Sequence, residues 1–144
     1  MIKNIKDLSI LFLRVAIGWL MFYAGITKIL NPDWSAEGFL NGAINFESLF
    51  TWLASPDILP FVNLLNEWGL TLIGLSLIIG IFVRWSSIFG ALMMVLYYLP
   101  RLDFPYPDAN SFIIDSHIIY ILVFFILFAY DAGKKFGVDR YILK

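Results

Sequence analysis

The sequence contains no cysteine and only one histidine, His117. The absence of cysteine excludes disulfides, thiolate metal sites and an internal dithiol relay, so redox chemistry would need a bound cofactor or a partner. No carboxylate stands three or four residues from His117 along the chain. Neither a metal site nor a bis-histidine haem within one chain is therefore expected.

Charged residues are scarce at 15% of the chain, whereas hydrophobic residues make up 60%. Together with a mean hydropathy of +0.82, this composition is typical of an integral membrane protein. The net charge is −1 and no basic stripe is visible, so nucleic acid is not expected as a partner. Four crossings and their connections would use the whole length, which predicts a single domain over residues 1–144.

Four long apolar segments predict transmembrane helices over residues 8–30, 60–83, 84–101 and 110–130. A helix rises about 1.5 Å per residue and the hydrocarbon core is about 30 Å thick, so roughly 20 residues suffice for a crossing. The segments lack the period-two alternation of a membrane barrel. The sequence therefore predicts an all-α fold, an integral membrane four-helix bundle.

The connection over residues 31–57 is too long for a plain turn, and its apolar residues recur at helical spacing. This pattern predicts an interfacial amphipathic helix, broken near Asn45. Two interpretations stay open. The segment is either a lid that only stabilises the outer mouth of the bundle, or a lid over a lipid-soluble ligand.

Basic residues fall mainly on one side of the predicted bundle. They are Lys3, Lys6, Arg84, Lys134, Lys135, Arg140 and Lys144. Because cytoplasmic loops carry an excess of lysine and arginine, we expect both termini to be cytoplasmic.

Ionisable side chains interrupt the apolar segments, and these are the candidate site residues. A charge at the centre of a bilayer costs about 2.5 to 3.5 kcal/mol on insertion scales, so each needs a partner or a function. Arg14 and Lys28 share one stripe of the first span with Gly18 and Gly25. The glycines predict close approach of a neighbouring helix beside this stripe.

Glu67 lies on a similar stripe of the second span, together with Asn63. Lipid cannot hydrogen-bond polar side chains, so both stripes are expected to face the bundle interior. Counted along the axis, Glu67 lies between the two bases of the first span. It is therefore expected to pair with Lys28 or with Arg14, and the pairing with Arg14 is favoured.

Asp115 and His117 stand two residues apart near the start of the fourth span. This spacing corresponds to about 200° around a helix, so the two side chains are not expected to share one narrow face. With Lys28, Glu67 and Arg101 they predict a polar cavity in the outer half of the bundle. A quinone carbonyl or another polar head group would accept hydrogen bonds there.

Several segments resemble the DoxX family. They are Asn66–Leu75 with its continuation to Gly80 and Arg84, the stripe from Arg14 to Lys28, Ile114–His117 and Ala132–Asp139. The segment Asp33–Leu40 is similar to the branch that contains DoxD, the small membrane subunit of thiosulfate:quinone oxidoreductase. The resemblance implies a four-helix bacterial or archaeal membrane protein. Some members are linked to quinone-dependent thiosulfate oxidation with a partner subunit, and others to oxidant-resistance complexes.

We therefore predict an inner-membrane subunit of a quinone-linked oxidoreductase. Glu67 and Asp115 would handle protons, and His117 would donate to a carbonyl oxygen. The remaining candidate ligand contacts are Arg14, Lys28, Asn63 and Arg101. A non-enzymatic scaffold or assembly factor, in which buried polar pairs only fix the packing, is the alternative. A transporter is less favoured because no inverted repeat is visible, and a partner subunit or a second copy of the chain stays open.

Overall fold

A computed structural model describes residues 5–142 and shows eight α-helices over this range, with no strand. The helices are α1 (Ile5–Ile29), α2 (Glu37–Asn41), α3 (Glu47–Leu53), α4 (Leu59–Ile79), α5 (Val83–Tyr98), α6 (Ser116–Ala129), α7 (Ala132–Phe136) and α8 (Asp139–Ile142). A 3-10 turn, Leu99–Arg101, extends α5. The longer helices α1, α4, α5 and α6 therefore fall where the sequence predicts spans. Lys3 and Lys144, two of the predicted cytoplasmic bases, lie outside the described residues.

The largest difference from the predicted spans is at the start of α6. This helix has 14 residues and begins at Ser116, whereas the apolar pattern predicts a span from residue 110. Residues 102–115 form an irregular loop with two isolated β-bridges. Within residues 5–142, two helices, α1 and α4, are long and apolar enough to cross a membrane, and α6 is a shorter apolar helix.

Glycines set the contact between α1 and α4. A Cβ on Gly18 would lie 2.9 Å from Cβ of Leu77, and a Cβ on Gly25 would overlap Thr71. A Cβ on Gly74 would overlap the main chain of Phe22. The predicted close approach beside the glycine stripe is thus confirmed, and the order of the contacts makes the two helices antiparallel.

The core lies where α1, α4, α5 and α6 meet. Its most deeply buried side chains are Met21, Leu70, Leu77, Phe124 and Leu127. Phe124 of α6 packs on α5 at Gly90, where a Cβ would lie about 2.5 Å from the ring. By contrast, α4 packs much more extensively on α1 than on α5. A gap therefore remains between α4 and α5.

The α1–α4 connection forms a lid at one end of the bundle. It consists of α2 and α3 and has its own small core around Ala36, Leu40 and Phe50. The break between the two helices includes Asn45, as predicted, and ends at Phe46 with a left-handed backbone (φ 55°). The amide of Asn45 donates to the carbonyl of Leu102, which ties the lid to the loop after α5. We call this the lid end, and the opposite end, near α7 and α8, the terminal end.

The α1–α4 contact gives the first prediction. The substitution Gly74→Leu should lower the free energy of unfolding by at least about 1 to 3 kcal/mol, because the new side chain would overlap the main chain of α1. Thermal unfolding of the purified protein in detergent measures the effect. The matched control is Gly38→Leu, since a Cβ at Gly38 meets no atom within 4 Å. Equal stability of the two variants would contradict the packing.

Candidate functional site

A cavity of about 870 Å³ lies between α4 and α5 and extends under the lid. Apolar side chains form most of its wall. They include Phe39, Leu40, Phe50, Leu65, Leu72, Ile73, Phe89, Leu92, Met93 and Leu96. The side chains of Leu65, Leu72 and Phe89 are about half exposed, so the cavity is open along its side between the two helices.

The cavity is elongated because each helix contributes a regular face to it. Asn66, Gly69, Ile73 and Ser76 line it from α4 at intervals of three and four residues. At a rise of about 1.5 Å per residue, the ten steps from Asn66 to Ser76 span roughly 15 Å. The site is therefore a groove that runs from the lid end towards the terminal end.

Polar groups collect at the lid end of the groove. The hydroxyl of Tyr97 donates to the side-chain oxygen of Asn66, whose amide nitrogen donates to the carbonyl of Val62 at 3.0 Å. Nζ of Lys28 donates to the carbonyl of Ala24 at 2.9 Å, and the same ammonium lies 5.2 Å from the ring centroid of Trp34. Lys28 thus brings a cation that the described residues leave without a carboxylate partner.

His117 completes the polar end, and Asp115 fixes its orientation. The carboxylate of Asp115 accepts hydrogen bonds from the backbone N–H groups of His117 (2.9 Å) and Ile118 (3.2 Å), so it caps α6. Its other oxygen lies 2.6 Å from Nδ1 of His117. The expectation that these two side chains diverge by about 200° is wrong, because Asp115 is the extended residue before the helix rather than part of it.

The other candidate residues do not line the groove. Glu67 lies on the α1 side of α4, where its carbonyl oxygen lies beside Gly25 and accepts from the hydroxyl of Thr71 at 2.6 Å. Asn63 accepts from the backbone N–H of Ala36 at 2.9 Å and so holds the first turn of the lid. Arg101 lines a separate surface pocket of about 320 Å³ beside the loop after α5. The structure therefore brings only part of the expected polar cavity together.

Arg14 lies at the terminal end and is almost fully buried, with 2% of its surface exposed. Its guanidinium donates to the carbonyls of Ala132 (3.0 Å) and Phe136 (3.1 Å). Among residues 5–142 no ion pair joins Arg14 to Glu67, so the favoured pairing is wrong. The reason is that the sequence stripe fixes the face of α1 but not the partner, which comes from the far end of the chain.

Asp139 is a second buried charge at the terminal end, and the helical spacing of the sequence does not indicate its role. Its carboxylate accepts from the backbone N–H groups of Phe82 (2.6 Å) and Val83 (3.0 Å) at the start of α5. The backbone N–H of Asp139 donates to the carbonyl of Gly80 at 3.0 Å. Gly80 itself has a left-handed backbone (φ 81°) and a Cβ there would press on Arg14. We call Arg14, Asp139 and these main-chain partners the terminal latch.

Comparison with known proteins gives one match. A protein-family model described as DoxX matches residues 9–99, which is more than half of the chain and includes most of α1, the lid, α4 and α5. It therefore covers every helix that lines the groove except α6. No curated protein and no solved structure matches the chain.

The terminal latch gives the second prediction. The substitution Arg14→Met keeps an unbranched apolar side chain but leaves the carbonyls of Ala132 and Phe136 without their donor, at a cost of about 1 to 3 kcal/mol each. Amide hydrogen exchange over residues 132–142 should become faster. Lys134→Met is the control, because Lys134 is exposed on the same segment. Unchanged protection in Arg14→Met would contradict the latch.

Proposed function

Because this chain belongs to the DoxX family and is membrane-associated, we propose that it is a membrane subunit that binds a quinone or a similar lipophilic ring in the groove. The ring lies at the lid end and the hydrocarbon tail follows the groove between α4 and α5. The chain acts as one subunit of a quinone-linked oxidoreductase, as in the DoxD branch that residues 33–40 resemble.

The shape of the groove is the observation that supports this proposal most directly. A cavity of about 870 Å³ is of the size that ligand pockets reach, and its wall is mainly apolar, with its cation and imidazole at the lid end and the mutually bonded hydroxyls of Ser76 and Ser86 further along. A ligand with a polar ring and a long apolar tail matches this division. A small polar solute would leave most of the apolar wall in contact with water.

Aromatic edges at the lid end fit a flat ring. The rings of Tyr97 and His117 lie 6.1 Å apart in an edge-on arrangement, and those of Phe39 and Tyr97 lie 5.9 Å apart, also edge-on. Such side chains supply large apolar area with a hydrogen-bonding group at its border. Lys28 also lines this end of the groove and places its ammonium near the oxygen atoms of the proposed ligand.

A quinone accepts two electrons and two protons when it is reduced. The chain contains no cysteine, so this proposal assigns the electron donor or acceptor to a partner protein. The residues of this chain bind the ring, exclude water from it and hold a proton near its oxygens. His117 lines the groove and serves that purpose with Asp115 bonded behind it, whereas a proton role for Glu67 stays a prediction because Glu67 does not line the groove.

We further propose that α1, α4, α5 and α6 all cross the cytoplasmic membrane of a bacterium or archaeon. Taken alone, α5 and α6 are about 24 Å and 21 Å long, which is short for a core of about 30 Å. The 3-10 turn Leu99–Arg101 lengthens the first, and the exposed apolar residues Phe112 to Ile114 lengthen the second. The lid then lies in the outer interface and the terminal latch at the cytoplasmic side.

An alternative function is a non-enzymatic scaffold for a partner protein. The terminal latch favours it. Arg14 and Asp139 form hydrogen bonds to main-chain groups, so these charged side chains stabilise the fold rather than bind or convert a ligand. A scaffold needs no ligand in the groove. The two proposals therefore differ in whether a quinone binds.

The topology is the third prediction, and the absence of cysteine provides a clean background for it. We expect the Asp108→Cys variant to react with a membrane-impermeant maleimide in intact cells. The Lys134→Cys variant should react only after the membrane is permeabilised, because its side chain faces the cytoplasm. The wild-type chain is the control for labelling of other groups. The opposite pattern would place the termini outside.

The groove gives the fourth prediction. Saturable binding of a short-chain ubiquinone or menaquinone analogue to the protein in nanodiscs should weaken at least about tenfold in Gly69→Leu. A Cβ at Gly69 meets Met93 at an ordinary 3.4 Å, so the longer side chain would fill the groove without breaking the helix contact. Leu75→Phe, on an exposed position outside the groove, is the control. Absence of saturable binding in the wild type would favour the scaffold.

A further inference from the structure

The Asp115–His117 pair has a geometry that distinguishes one form of the ligand from another. The carboxylate of Asp115 is held by two backbone N–H groups at the start of α6, so its position does not depend on a ligand. Its second oxygen lies 2.6 Å from Nδ1 of His117. The ring is therefore anchored on one side by a group that only accepts hydrogen bonds.

In the neutral imidazole, this anchor favours the tautomer that carries its proton on Nδ1. A neutral imidazole has one N–H donor and one acceptor nitrogen, and the hydrogen bond of one nitrogen sets the state of the other. In that tautomer the Nδ1–H donates to the Asp115 carboxylate, and Nε2 presents a lone pair. Among residues 5–142 no group bonds to Nε2, and the side chain, 22% exposed, lines the groove.

From this arrangement we infer that the groove recognises a ring bearing a hydroxyl group, the hydroquinone form of a lipophilic quinone, through a hydrogen bond from that hydroxyl to Nε2 of His117. Asp115 is a positioning residue that keeps the acceptor nitrogen turned to the ligand. The inference rests on the proposed quinone-binding function and deepens it. It replaces the expectation that His117 donates to a carbonyl.

A carbonyl oxygen is a poor partner for this tautomer of His117 because it offers only lone pairs to a nitrogen lone pair. Of the other polar groups at this end, the side-chain oxygen of Asn66 already accepts from Tyr97, and Lys28 has donors only. A site built to hydrogen-bond a hydroxyl group discriminates strongly against an analogue that lacks it, because its polar group is then left unpaired.

The test compares three probes with the same ring and tail in full-length protein in nanodiscs, kept anaerobic. They are a short-chain ubiquinone, its reduced form and the dimethyl ether of the reduced form, which lacks hydroxyl hydrogens. The reduced form should bind at least about tenfold more tightly than either of the others. Equal or tighter binding of the oxidised form would overturn the inference.

Variants separate recognition from folding. Asp115→Asn keeps a side-chain oxygen for the cap, because asparagine caps helices about as well as aspartate. Its amide N–H can face Nδ1 and turn Nε2 into a donor, so the preference for the reduced form should fall to less than about threefold. His117→Phe keeps the cap and an aromatic ring but has no acceptor, and it should abolish the preference. Asp103→Asn, an exposed carboxylate outside the groove, should keep it.

The outcomes also separate this inference from the function on which it rests. If the three probes bind equally and Gly69→Leu weakens them all, the groove binds the ring but the hydroxyl recognition is wrong. If none of the probes binds saturably, the quinone-binding function itself fails. Retention of the full preference in His117→Phe would likewise overturn the role of this residue.

Discussion

Helix ends impose the constraint on which this structure depends. The first N–H groups and the last C=O groups of a helix have no partner inside the helix, and an apolar environment offers them no water. Polar side chains of this chain supply the missing partners. Asp115 caps α6, Asp139 caps α5, and Arg14 binds the carbonyls of Ala132 and Phe136. Asn63 in the same way accepts from the lid.

This use of polar groups limits what is left for a ligand. A guanidinium that is buried against main-chain carbonyls, as in Arg14, is not free to neutralise a substrate. The groove between α4 and α5 retains few polar groups, chiefly Lys28, Tyr97 and His117. The chemistry of the site is therefore narrow. Its lid end carries one cation, one phenol and one imidazole beside Asn66, and the rest of the channel is mainly apolar, which is the basis for proposing an amphiphilic ring rather than a polar metabolite.

The sequence predicts the positions of the longer helices and the close α1–α4 contact well, because hydrophobic periodicity and glycine spacing are local properties. The break of the lid near Asn45 follows from the same kind of pattern. The contact of Arg14 with Ala132 cannot be predicted in this way. The two residues are 118 positions apart in the chain, and helical spacing carries no information about such contacts.

The arrangement of Asp115 and His117 was predicted wrongly from the sequence for a different reason. The 200° argument assumes a continuous helix, and a capping residue is outside the helix by definition. The preference of aspartate for the position just before a helix was the available signal. Glu67 illustrates the converse case, since its stripe is correctly placed towards α1 but the groove forms on the other side of α4.

The tie between the lid and the loop after α5 has a consequence for how a ligand reaches the site. The backbone N–H of Ile44 donates to the carbonyl of Pro100 at 2.7 Å, and Asn45 reinforces the connection. In the proposed membrane arrangement, with the aqueous entrance held in this way, the open flank between α4 and α5 would face the acyl chains. The proposed ligand would then exchange sideways with the bilayer, and its occupancy would follow its mole fraction among the lipids rather than its concentration in water.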